Sequence, residues 1–273
     1  MATPIGNKGD MSPRAIEILQ AVDLIAAEDT RHSARLLSHF QIKTPAVAYH
    51  DHGGDIQGAR IFSVLDSGQN VALISDAGTP LVSDPGYRLV REARLKGCHI
   101  VPVPGACAAI AALSAAGLPS DRFSFEGFLP AKQVQRRKAL EALSVETRTL
   151  MFYEAPHRIV AMVDDLIHVF GGEREVVFAR EITKTYETMI SGSLNELASQ
   201  LLEDVNQQRG EIVVLVHGYS GAIACEKEAE EVRVLKLLLA DLPLKQAAAL
   251  AAKITGGSRN DLYKKALSFQ KDD

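Results

Sequence analysis

The sequence has no tryptophan and few aromatic residues, 5% in all, so its core must rest on Ala, Leu, Val and Ile. Cysteine is scarce: Cys98, Cys107 and Cys225 are odd in number and form no CxxC pair. That excludes a disulfide framework and a zinc knuckle and fits a reducing compartment. No GxxxxGK[ST] segment occurs, which argues against a P-loop nucleotidase, and Gly6 with Gly9 falls short of a full G-x-G-x-x-G fingerprint. HExxH and paired Cys/His sets are absent, so no metal is expected. His50-Asp51-His52 could bind one, but a solvated loop is the simpler reading. No signal peptide is visible. The apolar, Ala-rich run 106–118 is too short to span a bilayer and is closely followed by Asp121 and Arg122. It reads as a buried helix, and the chain as cytoplasmic. A large net charge is lacking too: at −4 the balance argues against non-specific coating of nucleic acid, while leaving room for a local basic patch.

What is present is enough chain, 273 residues, for two medium α/β domains. In the first half, β-branched runs at 24–27, 46–49, 71–75 and 100–103 alternate with amphipathic stretches at 13–22, 32–40, 56–67 and 85–96. That alternation implies a mainly parallel sheet covered on both faces. Ser12 before Pro13, and Asp84 before Pro85, have the chemistry of an N-cap followed by proline at the first helical position. Gly97 fits the C′ position of the second helix. The segment 116–121 reads as a hinge. Strands then follow at 123–126, 149–153, 175–179 and 211–216, separated by helices at 136–143, 159–170 and 194–204. After about Gly221 the composition shifts: 226–231 is acidic and helix-forming, and 234–239, 244–254 and 260–269 read as three short helices. The expected organisation is an N-terminal α/β domain over 1–117, a C-terminal α/β domain over 118–220 and a helical appendage over 221–273.

The informative residues gather where the strands end. These are Thr3-Pro4-Ile5-Gly6-Asn7, Glu28-Asp29-Thr30-Arg31, Ser75-Asp76-Ala77-Gly78-Thr79-Pro80, Asp84-Pro85-Gly86 and Pro104-Gly105-Ala106. In the second half, Tyr153-Glu154-Ala155-Pro156-His157-Arg158 and Arg180-Glu181-Ile182-Thr183-Lys184 follow strands in the same way. Open α/β sheets bind ligands outside the carboxyl ends of their strands, and Gly-, Pro- and Asp-rich loops let a ligand approach the backbone. Any one such loop alone reads as an ordinary turn. Two domains each contributing several suggest a cleft between them.

These motifs resemble the ribosomal small subunit methyltransferase I family, within the tetrapyrrole methylase superfamily. The resemblance also runs through Ala116-Gly117-Leu118-Pro119-Ser120-Asp121, Glu126-Gly127-Phe128-Leu129-Pro130 and Leu242-Pro243-Leu244-Lys245, and covers nearly the whole chain in order. It implies two α/β domains of the tetrapyrrole methylase type with S-adenosylmethionine in the cleft between them, a homodimer, and methylation of the 2′-oxygen of a cytidine in the decoding region of 16S rRNA within the small ribosomal subunit. Carried over by position, the cofactor loops are Pro4, Ile5, Gly6 and Asn7; Asp76, Ala77, Gly78, Thr79, Pro80 and Leu81; Ala106, Cys107 and Ala108; Tyr153; and Gly210, Glu211 and Ile212. One departure stands out. The family usually has a short apolar strand before the first loop, and here Met1 sits where that strand should be ending. The expectation is a start further upstream, and a lost central strand would leave ladder groups unpaired and loosen the Pro4–Asn7 loop.

Methyl transfer from a sulfonium is an in-line displacement, in which alignment supplies much of the rate and a general base helps the ribose hydroxyl to attack. Glu28, Asp29, His50, Glu154 and Glu181 are candidates for the base. The preferred catalytic pairs are Glu28 with Arg31, then Glu181 with Lys184. The competing reading of each pair, about equally weighted, is a salt bridge that ties strand ends together. For RNA contact, Lys132, Arg136, Arg137 and Lys138 form a basic cluster, or simply a solvated helix start. Lys245, Lys253, Arg259, Lys264 and Lys265 lie on terminal helices that resemble a helix-turn-helix, with a plain helical pair as the rival. Tyr49, Phe125 and Tyr153 are possible stacking platforms, core packing being the better reading of Phe125. Two other functions remain open: a tetrapyrrole or other small-molecule or protein methyltransferase of the same superfamily, and a non-catalytic RNA-binding assembly factor.

Overall fold

A computed structural model describes residues 1–51 and 55–269. The chain forms two compact units, Met1–His217 and Gly218–Asp273.

The first half of the larger unit is built on a three-stranded parallel sheet of order β2-β1-β3, with β1 at Leu24–Ala27, β2 at Ala46–Ala48 and β3 at Val71–Ile74. All four residues of β1 are buried, as a strand covered on both faces must be. Side chains alternate along a strand, and the packing follows that period. Ile25 and Ala27 meet α1 (Pro13–Ala21) and α2 (Thr30–His39) through Leu19 and Leu37. Leu24 and Ala26 meet α3 (Asp55–Asp66) and α4 (Tyr87–Leu95) through Ile61, Phe62 and Leu89. Ser12 caps α1 by accepting the Ala15 amide at 3.2 Å, as its position before Pro13 predicts.

Three expectations fail in this half. The N-cap of α4 is Gly86, at φ 126°, with no side-chain cap bond, so Asp84 is not the cap. Ser83 (φ 65°) and Gly86 turn the chain sharply there, and Asp84 is left on a cavity wall. The β-branched run at 100–103 is not a strand. Ala2 donates to the Val103 carbonyl at 3.2 Å, but one such bond does not make a ladder. The Met1 ammonium donates to the Leu73 carbonyl at 2.8 Å, and Thr3 forms an antiparallel bridge with Gly78. The Pro4–Asn7 loop is not loose either, since the Asn7 amide donates to Thr183 Oγ1 at 3.0 Å.

The second half carries a five-stranded sheet of order β4-β5-β8-β6-β7, with β4 at Phe123–Phe128, β5 at Thr149–Glu154, β6 at Glu175–Arg180, β7 at Thr188–Ser193 and β8 at Ile212–Val216. β4 and β5 run parallel and the other three pairings are antiparallel. One face packs on α6 (Gln133–Ala142), α7 (Ile159–Phe170) and α8 (Leu194–Glu203), where Phe152, Phe178 and Val214 meet Leu140, Met162, Leu166 and Leu197. Burying each such side chain contributes about 1.5–3 kcal/mol. The opposite face takes α5 (Ala108–Ala116), whose Ala109, Ala112 and Leu113 lie on Met151, Val177 and Leu215. Although α5 precedes the segment 116–121, it packs on the second sheet.

The smaller unit holds α9 (Gly221–Asp241), α10 (Leu244–Thr255) and α11 (Arg259–Phe269). The acidic stretch and the expected helix 234–239 are one continuous helix of 21 residues. Leu235, Ala247, Ala251, Leu262 and Ala266 form its core, and Gly256, in the left-handed region at φ 69°, ends α10.

Candidate active site

The loops that leave the first sheet are stapled to one another by short polar bonds. Thr3 and Gly78 exchange backbone hydrogen bonds of 2.9 and 3.1 Å. Thr3 Oγ1 donates to the Ser75 carbonyl at 3.2 Å, and Thr79 Oγ1 to the Ala106 carbonyl at 3.0 Å. Gly78 has φ 82°, and a Cβ there would stand 3.3 Å from Ile5. The turn therefore needs glycine both for its backbone angle and for the approach of the first loop.

Against these turns lies a cavity of about 360 Å3, within the range of small-molecule sites. The first half supplies Ile5, Ala77, Gly78, Thr79, Val82, Ser83, Asp84, Cys107 and Ala108 to its wall, and the second half supplies Phe128, Tyr153, Glu154, Ala155, Pro156, Ile182, Gly210, Glu211, Ile212 and Val213. Among the residues expected to hold a cofactor, Ile5, Ala77, Gly78, Thr79, Cys107, Ala108, Tyr153, Gly210, Glu211 and Ile212 come together here. Pro4, Gly6, Asn7, Asp76, Pro80, Leu81 and Ala106 do not line the cavity. Two of them make close contacts outside its wall. Asp76 Oδ1 accepts the Asp29 amide at 3.1 Å, and a Cβ on Gly6 would fall 2.4 Å from Lys184 Cγ. The reading of cofactor loops missed Val82, Ser83, Asp84, Phe128, Glu154, Ala155, Pro156, Ile182 and Val213. Most of them lie in the motifs Asp84-Pro85-Gly86, Glu126–Pro130 and Tyr153–Arg158, which carried the signal without the assignment.

Tyr153 joins the two halves. Its hydroxyl accepts the Ala109 amide at the start of α5, at 3.1 Å, and its ring meets Phe125 and Phe128 edge-on at 4.9 and 5.7 Å. Burial pushes the phenol pKa up. Tyr49 and Phe125 are taken up by packing: Tyr49 is buried and donates to Asp51 at 3.2 Å, and Phe125 packs on the α5 side of the second sheet. Asp51 also accepts the Gly86 amide at 3.0 Å, which anchors the turn holding Leu81, Ser83 and Asp84. His52 lies outside the described residues.

The two expected catalytic pairs fare differently. Glu28 and Arg31 do not pair. Glu28 Oε2 accepts the Asp76 amide at 3.2 Å, while Arg31, its side chain 91% exposed, bridges to Asp29 at 3.2 Å. The cause is local: Asp29 caps α2 by accepting the Arg31 amide at 2.8 Å and so is already beside the guanidinium. Glu181 and Lys184 do pair, at 2.8 Å, and Lys184 reaches Glu211 at 2.9 Å. Glu181 also accepts the Glu211 amide at 2.9 Å. Burial works against the charge on Glu181, but the Lys184 and Glu211 bonds outweigh it and lower its pKa. The same balance raises Lys184.

Two carboxylates on the cavity wall have raised pKa values. Glu154, 2% exposed, is raised by burial; it accepts the Ala155 amide at 2.7 Å and an Arg158 Nη2–H at 3.2 Å. Asp84 is pushed up to about 6, first by burial and then by the charges of Glu28 and Asp76, against the pull of the Ser75 hydroxyl.

The basic cluster after Pro130 is in large part not a surface for RNA. Arg136 is buried and bridges to Asp165 at 2.7 Å, and Arg137 meets the same carboxylate at 2.6 Å. Lys132 and Lys138 are exposed. In the smaller unit Lys245, Lys253, Arg259 and Lys264 are exposed, whereas Lys265 is half-buried and lies 3.8 Å from Glu231.

The family described as Tetrapyrrole (Corrin/Porphyrin) Methylases matches residues 2–198, and the RsmI C-terminal HTH domain matches residues 226–270. The ribosomal RNA small subunit methyltransferase I of Pseudomonas aeruginosa is 59% identical over 271 residues, which are 99% of this chain and 96% of that protein. The protein of the same name from Escherichia coli O157:H7 is 54% identical over 268 residues, 98% of this chain and 93% of that one. Among solved structures, the uroporphyrin-III C-methyltransferase of Thermus thermophilus complexed with S-adenosylhomocysteine aligns with a TM-score of 0.53 at 16% identity, over 81% of this chain and 96% of that one.

Proposed function

The chain belongs to the ribosomal RNA small subunit methyltransferase I family, and from that premise we propose that it transfers a methyl group from S-adenosylmethionine to the 2′-oxygen of a cytidine ribose in the decoding region of 16S rRNA. The observation that carries the reading is one cavity walled by strand-end turns from both halves of a methylase fold. The cavity suits the donor chemically. Ile5, Val82, Phe128, Ile182 and Val213 give it apolar walls for an adenine and a thioether chain, and Asp84, Glu154 and Glu211 give it negative charge facing a sulfonium and an ammonium. When bound, the donor supplies an electrophilic methyl group.

The protein's own part is to bind, orient and exclude water. Ala77–Thr79 and Cys107–Ala108 bring backbone close to the ligand on one side, and Tyr153 with Gly210–Ile212 closes the other. We assign to Lys184, gripping both Glu181 and Glu211, the task of fixing the second-half turn against Gly6 and Asn7. Preorganisation of this kind lowers the barrier by holding reactants in line. The exposed Lys245, Lys253, Arg259 and Lys264 of the helical unit are suited to phosphate contacts, and such contacts give salt-dependent affinity. We place the protein in the cytoplasm, acting as a homodimer on the small ribosomal subunit.

Mapping of 2′-O-methyl positions in rRNA from cells with and without the protein tests the reading. One decoding-region cytidine should lose its mark when the protein is absent and regain it on complementation. An unchanged map, or methylation of a porphyrinoid but not of small subunits by the purified protein, would overturn it.

A further inference from the structure

The rings expected to stack on RNA are taken up by the protein itself. Tyr49 is buried, Phe125 packs on the second sheet, and Tyr153 is held by Phe125, Phe128 and the start of α5. Tyr186 is the opposite case. At 72% exposure it is the most exposed aromatic residue among the described residues, and among them its ring and hydroxyl have no bonded partner. Its backbone, by contrast, is held on every side. Two successive turns join β6 to β7. In the first, the Lys184 amide donates to the Glu181 carbonyl at 2.9 Å, and the central residue Ile182 forms part of the cavity wall. In the second, the Glu187 amide donates to the Lys184 carbonyl at 3.2 Å, and Tyr186 is a central residue. Glu187 Oε2 accepts the Thr183 amide at 2.6 Å, which ties the second turn back to the first. The buried Arg180 guanidinium donates to the Tyr186 carbonyl and to Thr188 Oγ1, both at 3.0 Å. On the first loop, next to the Asn7 amide that binds Thr183, Lys8 is exposed and makes no ion pair among the described residues.

We propose that Tyr186 is the platform on which the base of the target nucleotide stacks while its ribose enters the cavity. The inference rests on the reading under Proposed function. A ribose held at the cavity leaves its base outside the wall, and Tyr186 stands outside it, one turn beyond Ile182. A base drawn out of an RNA strand gives up its stacking, and an aromatic side chain replaces it. A ring whose backbone is already fixed loses little freedom in doing so, so more of the contact energy goes into holding the nucleotide. Stacking uses the face of the base and not its hydrogen-bonding edge. Tyr186 therefore positions the nucleotide without reading its identity, and Lys8 suits the neighbouring phosphate.

The test uses the full-length protein with isolated small subunits, comparing wild type, Tyr186→Ala, Tyr186→Phe and Tyr186→Trp. The readouts are kcat and the KM for small subunits, donor affinity by calorimetry, thermal unfolding and sedimentation. Tyr186→Ala should lose about tenfold or more in kcat/KM, chiefly through KM, while donor affinity and the melting temperature hold. Tyr186→Phe should keep most of the rate, because the ring stacks and the hydroxyl does not. The chain has no tryptophan, so Tyr186→Trp introduces a lone indole, whose emission small subunits should quench and large subunits should not. An unchanged kcat/KM in Tyr186→Ala overturns the proposal. So does a Tyr186→Phe protein as impaired as Tyr186→Ala, or an active Tyr186→Trp protein whose emission small subunits leave unmoved or large subunits quench equally. A Tyr186→Ala protein that sediments differently from wild type without subunits would make the ring a contact between copies of the chain, and that overturns it too. If Tyr186→Ala does not fold, the Phe and Trp variants decide. Wild-type protein that binds the donor but leaves small subunits unmethylated refutes the underlying reading instead, and the proposal falls with it.

Discussion

Removal of the Asp51 carboxylate should weaken donor binding at a distance from the cavity. Asp51 does not line the cavity, but its two oxygens hold the Gly86 amide at 3.0 Å and the Tyr49 hydroxyl at 3.2 Å. The turn ahead of Gly86 contains two non-glycine residues in the left-handed region, Leu81 at φ 72° and Ser83 at φ 65°. Each costs about 1–2 kcal/mol relative to a relaxed backbone. Gly86 is buried, and a Cβ there would stand 2.7 Å from Leu73, so the chain has little freedom to shift while packed. In Asp51→Ala the buried amide loses its acceptor, at a cost of about 1–3 kcal/mol. Relaxing the strained turn can recover much of that, and only by giving up the geometry that presents Val82, Ser83 and Asp84. If the relaxed turn gains about 2 kcal/mol on the native one, roughly 3% of molecules stay binding-competent and the apparent Kd for S-adenosylmethionine rises about 30-fold. Calorimetric titration reads the affinity and thermal unfolding reads the stability. Asp51→Asn keeps one acceptor oxygen and should fall between the two. An Asp51→Ala protein with wild-type affinity and an unshifted melt would refute the reasoning, since the turn would then hold itself.

Gly6→Val should separate the two faces of the cavity, because a Cβ at this position lies 2.4 Å from Lys184 Cγ and 2.8 Å from Thr183 Oγ1. Overpacking of about 1–3 kcal/mol corresponds to roughly tenfold weaker donor binding, measurable by the same titration, and undiminished affinity would contradict the close approach. Asp165→Asn leaves the buried Arg136 guanidinium, 4% exposed, without its counter-charge, and a loss of about 3–5 kcal/mol should appear in denaturant unfolding. In the wild type, burial raises the Asp165 pKa but the hydrogen bonds from Arg137, Arg136 and Gln133 outweigh it, so the folded value is lowered from 3.8. Its contribution is therefore complete above about pH 4 and disappears as the pH falls through the lower folded value. An acid-unfolding midpoint unchanged in Asp165→Asn would argue against the pair. Reversing Arg259 and Lys264 to Glu should lower affinity for small subunits and flatten its salt dependence, without changing donor binding.

The parallel sheet of the first half was legible because its strands are short apolar runs between amphipathic helices. Leu24-Ile25-Ala26-Ala27 has no polar residue and is buried throughout. The second sheet was legible only in part. β7, Thr188-Met189-Ile190-Ser191-Gly192-Ser193, has no apolar run; it is an edge strand, half-exposed, that forms through the ladder β6 offers. Nor does a strand's own sequence state its direction, so the three antiparallel pairings could not be read from a strand–helix alternation that suits parallel strands. The run 100–103 shows the converse, since β-branched residues mark a strand only where a neighbour completes the ladder.

The candidate site shows the same limit at the scale of single side chains. Spacing identifies neighbours, and Glu181 and Lys184, three apart on a turn, do meet. It does not say which way a turn sends them. Glu181 and Thr183 both adopt positive φ, at 51° and 68°, and that pair of angles carries the Lys184 ammonium to Glu211 as well. Glu28 and Arg31 have the same spacing, but there the helix begins between them, at Thr30. The cap residue Asp29 captures the arginine, and Glu28 is free to bind the amide of Asp76. Asp84 was misread for a related reason. Asp before Pro is good cap chemistry, and only the left-handed turn at Ser83 and Gly86 moves the helix start onward and leaves the carboxylate on the cavity wall. Where function depends on backbone angles that ordinary residues avoid, local sequence preference points away from the functional geometry, so the residues misread from sequence are the ones to mutate first.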